Sequence, residues 1–93
     1  MSIAKVTASI AAENTFSDPM DCKGAFNLSL SGTWSATVFL QRSYDGGTTW
    51  VDVTSYTANV EDYGKESESG VKYRFGVKTG GYTSGTVVGR LSR

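Results

Sequence analysis

Ser43-Tyr44-Asp45-Gly46-Gly47-Thr48-Thr49-Trp50 is the one stretch of this chain where polar residues, glycines and an aromatic fall at a specific spacing. The order Ser-x-Asp-x-Gly-x-Thr-Trp suits a tight turn. An Asp carboxylate accepts hydrogen bonds from turn amides, glycines allow positive φ, and Thr-Trp resumes the strand. Ser43, Asp45, Gly47, Thr49 and Trp50 are therefore assigned to building a turn. Other residues with chemical potential are few. The chain has no histidine, which removes imidazole-based nucleophile activation and histidine metal ligation. Cys22 is its single cysteine, too few for a zinc site or an intrachain disulfide. No run of carboxylates follows EF-hand spacing, and no glycine-rich phosphate loop opens a helix. Glu61, Asp62, Glu66 and Glu68 fall in one polar stretch, where solvation is favoured over the paired acid–base work of glycoside hydrolysis. The expectation is a non-enzymatic protein with no catalytic residue, cofactor or metal.

Contact with a partner is the remaining chemistry. Formal net charge is zero over 93 residues, against the basic footprint of a nucleic-acid binder. Charge is nonetheless uneven: beyond Glu68 there is no acid, and Lys72, Arg74, Lys78, Arg90 and Arg93 follow. Lys72, Arg74 and Lys78 share the outward side of one alternating segment. They form a positive strip, read either as a solvated face or as a docking surface for an acidic neighbour. Phe39 and Trp50 fall on the side opposite Leu40 and Val51, where a second layer or a partner would cover them. These five residues are the candidate partner-binding set. Trp34, Tyr44, Tyr56, Tyr63 and Tyr82 are further aromatics of the kind that stack on sugars or sit in protein interfaces.

The elements that must position these side chains are strands. Val6, Ala8 and Ile10 alternate with Lys5, Thr7 and Ser9 within residues 3–10. Residues 11–23 read as a less regular connection, with Pro19 unable to donate to a ladder and Phe16 as an apolar anchor. Phe26, Leu28 and Leu30 mark a half-buried strand. Residues 34–43 put Ala36, Val38 and Leu40 inward, residues 49–54 put Val51 and Val53 inward, and residues 55–60 bring Tyr56 to the core. Residues 61–69 read as a loop. Val71, Tyr73, Phe75 and Val77 alternate cleanly, Gly80-Gly81 signals a two-residue hairpin, and residues 82–92 return as the last strand. The expected architecture is all-β: one domain over residues 1–93, a small antiparallel β-sandwich of about seven strands, immunoglobulin-like or jelly-roll-like. With Asp45-Gly46 as central turn residues, Leu40 should face Val51 and Val38 should face Val53. With Gly80-Gly81 as a turn, Tyr73 should face Val88, and a bulge at Gly89 would return Leu91 to the core.

No apolar run approaches the ~20 residues of a bilayer span, and no basic region followed by an apolar stretch marks a secretory signal. A lone thiol accords with folding in a reducing cytoplasm. No membrane or nucleic-acid partner is expected.

Two resemblances extend this reading. The Ser43–Trp50 pattern resembles the Asp-box hairpin of sialidases and several unrelated β-proteins, where such boxes are structural. The second is carried by Ala25 to Trp34, by Val38 to Trp50, by Ser69 to Gly80 and by Tyr82 to Ser92. These segments resemble those of small phage-encoded virion proteins, and the likeness runs through residues 24–93. It implies a head-decoration (cement), neck or tail component of a tailed phage, synthesised in the bacterial host cytoplasm and located in the virion. Its partners would be capsid or neck and tail proteins, and other copies of itself in a homo-oligomer. The alternative is a carbohydrate-binding or adhesive β-sandwich module with a glycan as ligand. Fold alone does not separate these classes.

Overall fold

A computed structural model describes residues 5–93; residues 3 and 4 of the segment expected at 3–10 lie outside the described residues. Among the described residues there is no helix. The strands are β1 (Lys5–Ile10), β2 (Thr15–Phe16), β3 (Met20–Ser31), β4 (Trp34–Ser43), β5 (Val51–Tyr56), β6 (Val60–Gly85) and β7 (Val87–Ser92). All pair antiparallel in one continuous sheet of order β1-β7-β3-β6-β4-β5, with β2 attached to β6, and the sheet curls as a half-barrel. The expected all-β antiparallel class is present. Curling of one sheet brings together the apolar faces that had been assigned to two facing sheets.

Alternation explains the core. Val6 and Ile10, Met20 and Cys22, Phe26, Leu28 and Leu30, Val38 and Leu40, Val71, Tyr73, Phe75 and Val77, and Val87 and Leu91 are all buried in one cluster. Successive residues of a strand face opposite sides, so each of these segments delivers every second residue inward. Met20 and Cys22 belong to β3, which begins earlier than the connection assigned to residues 11–23.

Three expectations are overturned by β6. Residues 61–69 are strand: Val60 to Glu66 pair with Leu30 to Gly24. Alternation missed them because the inward positions are Asp62, Gly64 and Glu66, which carry no apolar signal. Gly80-Gly81 is not a hairpin turn. Val77 pairs with Val38 and Tyr82 with Ala36, so residues 78–81 loop out as a bulge and the chain continues in the same direction. A glycine pair serves either geometry. The strand after it is therefore not the partner of Tyr73; β7 pairs with β1 and β3. Gly89 lies in regular register between Ala8 and Leu30, and Leu91 is fully buried without a bulge there.

The 43–51 connection is also longer than expected. Leu40 pairs with Thr54 and Val38 with Tyr56, while Gln41 pairs with Asp52, which leaves Val53 without a partner on β4. The turn spans the whole stretch between Ser43 and Val51, so the register slides and a bulge absorbs the odd residue. Val51 and Val53 are 40% and 46% exposed, not core residues.

Two breaks let β6 bend. Between Glu66–Gly24 and Val71–Cys22 the two strands advance by different numbers of residues, with Gly24 at φ 90° and Gly70 at φ 82°. That backbone region excludes most L side chains, so glycine on both strands permits the kink. On β7 Gly89 acts through space instead. A Cβ built there would overlap the ring of fully buried Phe75. Gly89→Ala is therefore expected to overpack the core and lower unfolding free energy by about 1–3 kcal/mol, read by denaturant titration.

Candidate functional site

The five candidate contact residues do gather on one face, the side of β4, β5 and β6 that points away from the core. Phe39 and Gly76 are cross-strand partners, as are Gln41 and Arg74. The cations there are engaged within the chain. Lys72 Nζ donates to Asp21 Oδ1 at 2.6 Å. Lys78 Nζ lies 4.2 Å from the Phe39 ring centroid and donates to Asp52 Oδ2. Arg74 sits between two rings, 4.0 Å from the Phe16 centroid and 4.4 Å from that of Trp50. Its Nε donates to Gln41 Oε1 at 2.8 Å, and Gln41 Nε2 donates to Asp52 Oδ1 at 2.9 Å. Burial draws the Arg74 guanidinium below its ordinary pKa. Each cation–ring contact contributes about 0.5–2 kcal/mol, more as it is desolvated. The strip is thus a ladder that ties β2, β4, β5 and β6 together and covers the outer side of the sheet.

The Ser43–Trp50 turn is built around one carboxylate. Asp45 Oδ1 accepts from the amides of Thr48 (3.1 Å) and Thr49 (2.9 Å) and from Ser43 Oγ (2.8 Å). Ser43 is itself fully buried, and its Oγ accepts from the Gly47 amide at 2.9 Å. Gly46 and Gly47 both take positive φ. The Thr49 amide, then the Ser43 hydroxyl and the remaining donors, hold the Asp45 carboxyl down to about 2. Ser43, Asp45 and Trp50 of the motif are thus all engaged within the chain.

Sequence reasoning missed a polar cluster at the end of the core. Glu66, 5% exposed, accepts from Arg42 Nε (3.0 Å) and Nη2 (2.8 Å), from the Tyr73 hydroxyl (2.8 Å) and, through Oε2, from the Glu68 amide (3.0 Å). Burial pushes its carboxyl up, but the Glu68 amide, the Tyr73 hydroxyl and Arg42 together bring it below the ordinary carboxylate range. Tyr73 in turn stacks at 4.5 Å on Phe26. The available signal was the inward parity of Glu66 with Val60, once 60–66 is read as strand.

The half-barrel leaves an open seam between β5 and the first part of β6. Among the described residues β5 pairs with β4 alone. An apolar dent of about 110 Å³ lies in the seam, floored by Phe26, Leu28 and Leu40 and rimmed by Val53, Tyr56 and Tyr63. The Tyr56 hydroxyl donates to Asp62 Oδ2 at 2.7 Å and bridges it. Tyr63 is 83% exposed. Cys22 is buried, and desolvation raises its thiol to about 11, so it stays protonated at neutral pH.

No family model matches this chain, and comparison with curated proteins and with solved structures returns no match.

Removing Glu66 would leave a buried tyrosine hydroxyl and a guanidinium without their acceptor, so Glu66→Ala is expected to cost about 2–3 kcal/mol by denaturant titration. Because its folded pKa is depressed, the stabilisation is complete above the unfolded value of about 4.3 and declines as pH falls through the folded value. The Asp45 contribution follows the same sign and is lost as pH falls through its folded value of about 2. Asp45→Ala should lower the melting temperature at pH 7, with the difference from the parent shrinking toward pH 2.

Proposed function

We propose that this chain is a non-enzymatic structural component of a tailed-phage virion, a head-decoration protein that binds the capsid in many copies. The resemblance through residues 24–93 supports that class. The observation that carries a contact role is the free edge at β5. Its six residues Val-Asp-Val-Thr-Ser-Tyr are rich in strand formers, and the first five are exposed. An edge strand presents a row of unpaired amides and carbonyls to any extended chain that meets it. Natural sheets blunt such edges with lysine, proline or bulges. β5 has no lysine or proline, its one carboxylate is engaged by Lys78 and Gln41, and the bulge at Val53 is the single device present.

The contact surface in this reading is the β5 edge and the neighbouring apolar dent, with Val51, Val53 and Tyr63 meeting the capsid or an adjacent copy. Lys72, Arg74, Lys78, Phe39 and Trp50 then serve the fold more than the partner, because their charges and rings already satisfy one another. Synthesis in the bacterial cytoplasm and a final location in the virion follow from the same reading.

Mass spectrometry of gradient-purified phage should find the protein in many copies per particle. Val51→Lys together with Val53→Lys adds two charges to exposed positions, so stability should change by less than about 1 kcal/mol, while attachment to particles is lost. Full attachment of this double variant, or no protein in purified virions, would overturn the proposal.

A further inference from the structure

A second concave site lies at the start of β4, built by the β6 bulge that sequence reading took for a hairpin. Because residues 78–81 loop out opposite Thr37, a cleft of about 340 Å³ opens between Trp34–Thr37, Thr57 and Gly80–Thr83. That volume falls within the range of about 300–1,000 Å³ typical of small-ligand sites. No charged residue lines it.

Its chemistry is uniform. Ser35, Thr37, Thr57 and Thr83 contribute four hydroxyls, and among the described residues none of these is used in a hydrogen bond within the chain. Trp34 lines one wall, half-buried, with part of its ring packed on the core. Its indole N–H donates to Asn59 Oδ1 at 2.7 Å, and Asn59 Nδ2 donates to the Gly32 carbonyl at 3.0 Å, which fixes the ring plane. The bulge is pinned from behind, since the Gly80 amide donates to Glu13 Oε1 at 2.9 Å. The site is therefore preorganised, neutral and rich in groups that both donate and accept.

We propose that this cleft binds a neutral saccharide. A sugar ring offers hydroxyls in the same donor–acceptor register as the threonines. A charged ligand would find no counter-ion here, and a purely apolar one would leave four hydroxyls unpaired. Sugar binding at this cleft is independent of the β5 edge and would add glycan recognition to a particle-bound protein.

The test is a ¹⁵N-HSQC titration of the full chain with a panel of neutral oligosaccharides built from glucose, galactose, mannose and N-acetylhexosamines, each to about 10 mM to reach weak affinities. Saturable shifts are expected for the Trp34 indole N–H and for the amides of Ser35, Thr37, Thr57 and Thr83 with at least one sugar. Trp34→Ala should abolish them. Thr37→Val with Thr83→Val, which keeps side-chain shape, should weaken binding about three- to tenfold per lost hydroxyl while the melting temperature holds. No shift at the cleft with any sugar of the panel would overturn the proposal. So would binding that survives both variants, since it would lie elsewhere. Loss of the Val51 and Val53 contacts should leave the titration unchanged, which separates this result from the assembly reading.

Discussion

Everything in this fold depends on one strand, β6, remaining hydrogen-bonded while it changes direction. Its 26 residues pair with β3 through Val60–Glu66, with β3 and β2 through Val71–Val77, and with β4 from Lys72 to Gly85. A straight strand of that length would outrun any small core. Bulges at 67–70 and 78–81 shorten its path and turn it, and the curled sheet closes an apolar interior without a second layer. With no disulfide and a core of modest size, the polar ties at the bends matter. Glu66, placed just before the first bend, collects Arg42 and Tyr73 and holds the neighbouring strands in register.

The same path creates both surfaces of functional interest. Since β6 leaves β4 to follow β3, its first part cannot cover β5, and an edge with exposed Val51 and Val53 results. Since it bulges again at Gly80-Gly81, it opens the hydroxyl-lined cleft beside Trp34. The cationic strip follows the opposite logic. Lys72 and Arg74 project from the one stretch of β6 flanked on both sides and Lys78 from the bulge that follows it, and their neighbours Asp21, Gln41, Asp52, Phe16 and Trp50 take up their charge. Positive charge along a strand was read correctly as sharing a face, but linear sequence does not show that Asp21 of β3 and Asp52 of β5 will stand across from Lys72 and Lys78, or that two rings will enclose Arg74.

What was legible in the sequence was whatever alternation reports. The inward residues of β1, of β3 from Phe26 onward, of β4 through Leu40 and of the middle of β6 were identified from period-two patterning, and the Ser43–Trp50 motif folds around Asp45 as its spacing implies. What failed was register and continuity. Asp45-Gly46 lies in a reversal longer than two residues and Gly80-Gly81 in none, so each pair signals backbone freedom and only the pairing partners decide between a turn and a bulge. Val60–Glu66 was missed because Asp62, Gly64 and Glu66 face inward against Tyr56, Phe26 and Arg42, a polar arrangement that hydrophobic patterning is blind to. The Trp34 cleft was illegible for the same reason: it exists only where the bulge lies.

The central claim is that β5 is a free edge that becomes paired on assembly. Hydrogen–deuterium exchange, compared between the isolated protein and the protein on purified particles, tests it most directly. The account predicts rapid exchange at the outward amides of Val51–Tyr56 in the isolated chain and strong protection on the particle, with the Lys72–Lys78 stretch of β6 protected in both. Unchanged exchange across β5 on assembly, with new protection confined to another surface, would contradict it.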